Sequence, residues 1–120
     1  MSPTIFLRIE GFIICTLSIF GYSLVSGDWL MFFLLLFMPD VTILGYTINS
    51  RIGAFIYNIG HSYSLPLILG VLSAVAENLN GSIIALIWLA HIGLDRMCGF
   101  GLKYPHGFKH THLGIIGREK

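Results

Sequence analysis

Four long apolar runs, broken only by short polar turns, limit what this sequence can become more than any other feature. The first extends from about Ile9 to Val25 and stops at Ser26-Gly27-Asp28. The second runs from about Trp29 to Ile48, with Pro39-Asp40 near its middle. After Asn49-Ser50-Arg51, the third covers about Ile52 to Ala76 and carries Asn58, His61, Ser62 and Pro66. Glu77-Asn78-Leu79-Asn80-Gly81-Ser82 is a turn by composition, and the fourth run, about Ile83 to Phe100, contains His91 and Asp95. A helix needs roughly 20 apolar residues to cross the ~30 Å hydrocarbon core of a bilayer. The expectation is an all-α integral membrane four-helix bundle with kinked second and third spans. Residues 1–120 then form one membrane domain, with spans of about 9–25, 29–48, 52–76 and 83–100 and a short polar tail, 101–120.

Composition removes the alternatives. Charged residues make up 11% of the chain and hydrophobic residues 55%, against about 25% charged in a soluble domain. A water-soluble fold of 120 residues needs far more polar surface than this. The same apolar excess excludes disorder. A net charge of only +1 speaks against a nucleic-acid module, so the expected partner is a lipid bilayer. Cys15 and Cys98 form neither a disulfide framework nor a CxxC motif.

Charge also orients the spans. Arg8, Arg51, Arg96, Lys103, Lys109, Arg118 and Lys120 all fall on, or within about a turn of, the side that holds both termini and the turn between spans two and three. The opposite side has Asp28 and Glu77 and no basic residue. The positive-inside rule makes the basic side cytoplasmic, which implies a cytoplasmic membrane with both termini inside. Arg8, the apolar run and Val25-Ser26-Gly27 resemble a cleavable signal peptide, but Glu10 at the front of the run argues for a retained span.

Ionisable groups at bilayer depth cost at least ~2.5–3.5 kcal/mol each on insertion scales and therefore need a partner or a purpose. Counting ~1.5 Å per residue from the span ends, Asp40 lies ~12 Å below the basic side, His61 and His91 ~14 Å, and Asp95 ~8 Å. Groups from three spans thus share one depth range. His91 and Asp95 are i,i+4 and lie on one helix face with Trp88. Asn58, His61 and Ser62 cluster in the same way. Pro39 and Pro66 each remove a backbone donor and loosen the helix beside these residues. Gly53, Gly60, Gly70, Gly93, Gly99 and Gly101 permit close helix approach.

Two imidazoles and two carboxylates suit Zn²⁺, Mn²⁺ or Fe²⁺ better than a soft thiolate metal. Asp40, His61, His91 and Asp95 are the candidate ligands, with Asn58, Ser62, Arg96 and His112 as supporting residues and Glu10 as a candidate catalytic base. The competing account is a polar network in which Asp95 pairs with Arg96 or Arg51 and the histidines bond to Asn58, Ser62 or backbone carbonyls. For Glu10 the competing account is a salt bridge with Arg8. His106 and His110 read as part of a solvated tail; His112 stands apart because Leu113-Gly114-Ile115-Ile116-Gly117 can fold back against the membrane.

Several blocks carry a resemblance. Leu7-Arg8-Ile9-Glu10-Gly11, Pro39-Asp40 with Leu44-Gly45-Tyr46, and Tyr57-Asn58-Ile59-Gly60-His61-Ser62-Tyr63 are three of them. The longest is Ile87-Trp88-Leu89-Ala90-His91-Ile92-Gly93-Leu94-Asp95-Arg96, continued by Gly99-Phe100-Gly101-Leu102-Lys103-Tyr104-Pro105 and Thr111-His112-Leu113-Gly114. Across nearly its full length the chain resembles a family of small bacterial membrane proteins called domain of unknown function 4260, which implies a bacterial inner membrane. The order Pro-Asp, His-Ser and His-x-x-x-Asp is also similar to that of LexA-regulated inner-membrane proteins assigned as metal-dependent hydrolases. That similarity implies metal binding at Asp40, His61, His91 and Asp95, although Thr42 stands where those proteins tend to have a second acid.

Four function classes follow. A metal-dependent hydrolase would act on a lipid or other amphiphilic ester or phosphoester, with Arg51 or Arg96 at an anionic head group. A haem carrier would use His61 and His91 as axial ligands. An ion or proton pathway would need several copies, hence a homo-oligomer. The fourth is a non-catalytic membrane protein held together by buried polar groups.

Overall fold

The computed structural model describes residues 3–100, residue 102, and the short segments 110–111 and 114–115. Five α-helices occupy most of this: α1 Pro3–Val25, α2 Trp29–Leu35, α3 Ser50–His61, α4 Ser64–Val75 and α5 Leu79–Cys98. A 3-10 segment, Met38–Thr47, continues α2. His110–Thr111 and Gly114–Ile115 pair as two minimal antiparallel strands, β1 and β2. Taken with their continuations, four helical stretches are long and apolar enough to cross a membrane: Pro3–Val25, Trp29–Thr47, Ser50–Val75 and Leu79–Cys98. The second and third are the bent ones. Helix α1 starts several residues before its apolar run, and on this extension Arg8 donates from Nε to the carbonyl of Met97 at 2.9 Å.

Polar caps fix the turns. Asp28 accepts from the N–H of Met31 at the head of α2, at 3.0 Å. Asn49 does the same for Ile52 at 2.8 Å, and Asn78 for Gly81 at 3.1 Å. Each satisfies one of the orphan donors of a helix start. Helix α5 ends at Gly99, whose φ of 93° is left-handed and favours glycine. The N–H of Phe100 then returns to the Asp95 carbonyl at 2.8 Å.

The surface is inverted relative to a soluble protein. Leu24, Leu30, Leu34 and Val75 are 71%, 72%, 70% and 80% exposed, which suits hydrocarbon as the surrounding solvent. The interior is small. Tyr22, Phe32, Leu36, Ile83, Ile87 and Ala90 form its apolar cluster between α1, α2 and α5. The Tyr22 ring sits 5.0 Å from both Trp29 and Phe32, and its hydroxyl donates to the Asp28 carbonyl at 2.5 Å. Against α5, α1 packs at glycine: a Cβ on Gly93 would lie 2.6 Å from the Cys15 nitrogen and the Gly11 carbonyl oxygen. That contact seats α5 centrally, with α4 also packed on it, while the 3-10 segment lies against α3.

Candidate metal centre

Both bends occur at prolines, and each delivers a polar side chain to the interior. Pro39 has no N–H for the Leu35 carbonyl, so α2 stops at Leu35 and the chain tightens into 3-10 geometry. Two bonds hold the new start: the N–H of Asp40 donates to the Phe37 carbonyl at 3.1 Å, and the Thr42 hydroxyl donates to the Pro39 carbonyl at 2.7 Å. Pro66 likewise cannot serve the Ser62 carbonyl. The third span breaks at Ser62, where ψ is 155° and the backbone is extended. The break frees carbonyls in the middle of the protein, and α5 side chains bond to two of them. The Trp88 indole N–H donates to the Gly60 carbonyl at 2.7 Å. Arg96 Nη2 donates to the His61 carbonyl at 2.9 Å, and Nη1 to that of Phe100 at 3.4 Å.

His61, at the end of α3, therefore points into a fixed frame. Its ring stacks on Tyr57, with centroids 3.8 Å apart and planes at 7°, and its Nδ1 lies 3.1 Å from the Tyr57 carbonyl oxygen. A carbonyl can only accept, so Nδ1 carries the proton. The opposite atom, Nε2, meets Asp40 Oδ1 at 3.1 Å, His91 Nε2 at 3.2 Å and Asp95 Oδ2 at 3.5 Å. His91 Nε2 lies 3.2 Å from Asp40 Oδ1 and 3.3 Å from Asp95 Oδ2. One ligand atom from each of the four residues falls within 4.8 Å of all the others.

This grouping could hold a metal, and two observations fit that use. With Nδ1 protonated, a neutral His61 presents a lone pair at Nε2, and the two carboxylate oxygens facing it are acceptors as well. Lone pairs and negative charge converge on one point, an arrangement that a cation relieves. Five of the six separations, 3.1–3.5 Å, are close to the ~3.3–3.4 Å between ligands at ~2.0–2.1 Å around a tetrahedral ion, and the Asp40 and Asp95 oxygens fall within the 4.8 Å limit. Exposure is unequal around the group. His61 and His91 are 0% and 1% exposed, whereas the side chains of Asp95 and Asp40 are 18% and 39% exposed. The open side is the Asp40 side. No macrocycle fits between the two rings, whose Nε2 atoms are 3.2 Å apart with a carboxylate oxygen against each.

The family described as domain of unknown function (DUF4260) matches the chain over residues 4–116. The chain belongs to this family. No curated protein and no solved structure matches it.

Within this DUF4260 chain the other candidate residues are dispersed. Glu10 is exposed on α1 and lines a separate groove with Ser18 and Tyr63. Asn58 is half-buried on α3, one turn before His61. Ser62 is the residue at the helix break. Arg96 is buried, binds the two carbonyls given above, and lies 5.5 Å over the Tyr63 ring. His112 lies outside the described residues. Three residues of the frame were not anticipated from the sequence: Tyr57, Thr42 and Phe37. Tyr57 is at i−4 from His61, a spacing that signals a shared face. Thr42 places its hydroxyl 3.4 Å from His61 Nδ1, and Phe37 sets its ring edge-on to His91 at 6.2 Å. No sequence signal separates Phe37 from ordinary apolar-helix residues, and Thr42 is marked only by standing where similar proteins tend to have an acid. They are found only once the 3-10 segment is laid against α3 and α5.

Proposed function

We propose that this protein is a membrane-embedded, metal-dependent hydrolase of a lipid or similar amphiphilic ester or phosphoester. One observation carries the reading: two imidazole nitrogens and two carboxylate oxygens from three spans converge on one point with one side open. Asp40, His61, His91 and Asp95 would hold Zn²⁺, Mn²⁺ or Fe²⁺. When bound, such an ion polarises the ester or phosphoester oxygen and makes a water nucleophilic near neutral pH. The Tyr57 carbonyl fixes the His61 tautomer, as outer partners of metal-ligating histidines do. Asp40, the most exposed of the four, is positioned to take a proton from an entering water on its second carboxylate oxygen. Glu10, in its separate groove, is left out of the reacting set. Arg96 is committed to backbone carbonyls, which leaves exposed Arg51 to meet an anionic head group.

We also infer the bacterial inner membrane, with both termini in the cytoplasm. Support comes from the Arg8–Met97 bond, which puts the start of α1 beside the end of α5 and so gathers Arg8 and Arg96 at one end of the bundle.

The test is elemental analysis and an absorption spectrum of protein purified without a polyhistidine tag. About one zinc, manganese or iron per chain, lost in a His61→Ala/His91→Ala variant, is the expected result. Chelator-sensitive release of fatty acid or phosphate from phosphatidylglycerol vesicles then separates a hydrolase from a binding protein. Metal content unchanged in the double variant would refute the site, and a Soret band would assign haem instead.

A further inference from the structure

We propose that a cavity beside the four-residue cluster holds the apolar chain of the amphiphile, with its polar head against the open Asp40 side. The head-group half rests on the metal-site reading above; the chain half does not. The cavity, about 340 Å³, lies between the 3-10 segment, α3 and α5, and Val41, Thr42, Gly60, Ile84 and Trp88 form much of its wall. That volume is within the range of small-molecule sites.

Three features favour an acyl chain over water or a polar ligand. The wall has few polar groups, and two of these are already engaged: the Thr42 hydroxyl donates to Pro39 and the Trp88 indole N–H to Gly60. Of the lining residues, Met38 and Val41 are each 58% exposed and Ile84 48%. All three lie on membrane-spanning stretches, so the cavity opens into hydrocarbon, where acyl chains are the abundant ligand. Finally, the inner wall is continuous with the cluster. Gly60 immediately precedes His61, and Pro39, also in the lining, immediately precedes Asp40. An apolar slot that opens to lipid and adjoins a polar, cation-demanding point is complementary to a molecule with one chain and one head.

Trp88 lies in the wall, so it can report the chain directly. Trp29→Phe leaves Trp88 as the sole tryptophan of the two in the sequence. The metal-loaded protein in detergent micelles is titrated with a fatty acid brominated along its chain, since bromine quenches indole fluorescence on contact. The expected result is saturable quenching. Ile84→Phe in the same background narrows the cavity and displaces about two methylenes, each worth about fourfold in affinity, so binding should weaken about fifteenfold. Its metal content should not change. Val41→Phe, on another wall, gives the same answer if Ile84→Phe loses helix content. A brominated alkane without the carboxyl group should bind more weakly than the acid.

Quenching that rises without saturation and is equal in both filled-cavity variants would overturn the chain site while leaving the metal reading intact. Equal affinity for acid and alkane would overturn the head placement. If the protein holds no metal yet shows saturable quenching sensitive to Ile84→Phe, the metal reading fails and the chain site stands.

Discussion

Replacing Asp40 with asparagine should change stability with opposite sign in the metal-free and metal-loaded protein. The ligand oxygens of Asp40 and Asp95 lie within 4.8 Å of each other. Two unit charges at that separation repel by about 3.5 kcal/mol at an effective permittivity of 20, and by about 0.9 kcal/mol in bulk water. The Asp40 side chain is 39% exposed, so solvent screening places the repulsion nearer the lower figure, about 1–2 kcal/mol. Without metal, in alkaline buffer, Asp40→Asn removes this repulsion and should raise the melting temperature by several degrees. With metal the sign reverses. An ion at a hundred times its dissociation constant stabilises the folded state by about 2.7 kcal/mol, and the variant forfeits part of that with its anionic ligand. Thermal unfolding in detergent, with excess divalent ion and after chelation, measures both arms. If Asp40→Asn lowers stability equally in the two conditions, the metal argument is wrong. The carboxylate would then act as the acceptor for protonated histidines in a polar network.

Trp88→Phe leaves the Gly60 carbonyl without its 2.7 Å donor, which should cost about 1–3 kcal/mol in the same unfolding assay and weaken metal binding without abolishing it; unchanged stability would mean that the bond does not hold the broken helix end. Gly93→Ala puts a methyl 2.6 Å from the Cys15 nitrogen and the Gly11 carbonyl, so α1 and α5 must separate at a cost of about 1–3 kcal/mol. A variant that melts like the parent would show that this contact is not the packing point. Reporter fusions after Asn78 and after Lys120 should report opposite compartments, with Lys120 on the cytoplasmic side; agreement between them would refute the four-span topology, and a cytoplasmic Asn78 would refute the orientation.

The number of spans, and the presence of bends in the second and third, were legible because both follow from local chemistry: run length, and prolines beside Asp40 and His61. The four candidate ligands were legible from depth alone, since an ionisable group inside a membrane is conspicuous by its cost. What depth cannot supply is direction. The residue count puts Asp95 about one turn shallower than His91, yet the i,i+4 stacking of their side chains brings Asp95 Oδ2 to 3.3 Å from His91 Nε2. Arg96 shows the opposite limit. From sequence it is a head-group or ion-pair candidate near the interface, whereas the structure turns it inward to the His61 carbonyl. That partner exists only because α3 ends where it does. A side chain whose acceptor is created by a distant backbone break cannot be assigned from its own neighbourhood.

The same break explains why the cluster can form here at all. Had the third span continued as one α-helix past His61, the carbonyls of Gly60 and His61 would have been occupied within the helix. Trp88 would then have been a donor without an acceptor in a medium that offers none, and Arg96 would have kept only the Phe100 carbonyl. Ending α3 at His61 inverts this, because each freed carbonyl meets an α5 donor. Trp88 and Arg96 flank His91 and Asp95 along α5, so the bonds that close the break also hold α5 in register with His61. The 3-10 segment meets α3 at Gly60, where a Cβ would stand 2.6 Å from the Thr42 methyl, and that close approach brings Asp40 to the same point. Backbone irregularity and ligand convergence are therefore one structural event. A change that restores a continuous third span, such as Pro66→Ala, acts on the site by releasing Trp88 and Arg96 rather than by touching any of the four ligand residues.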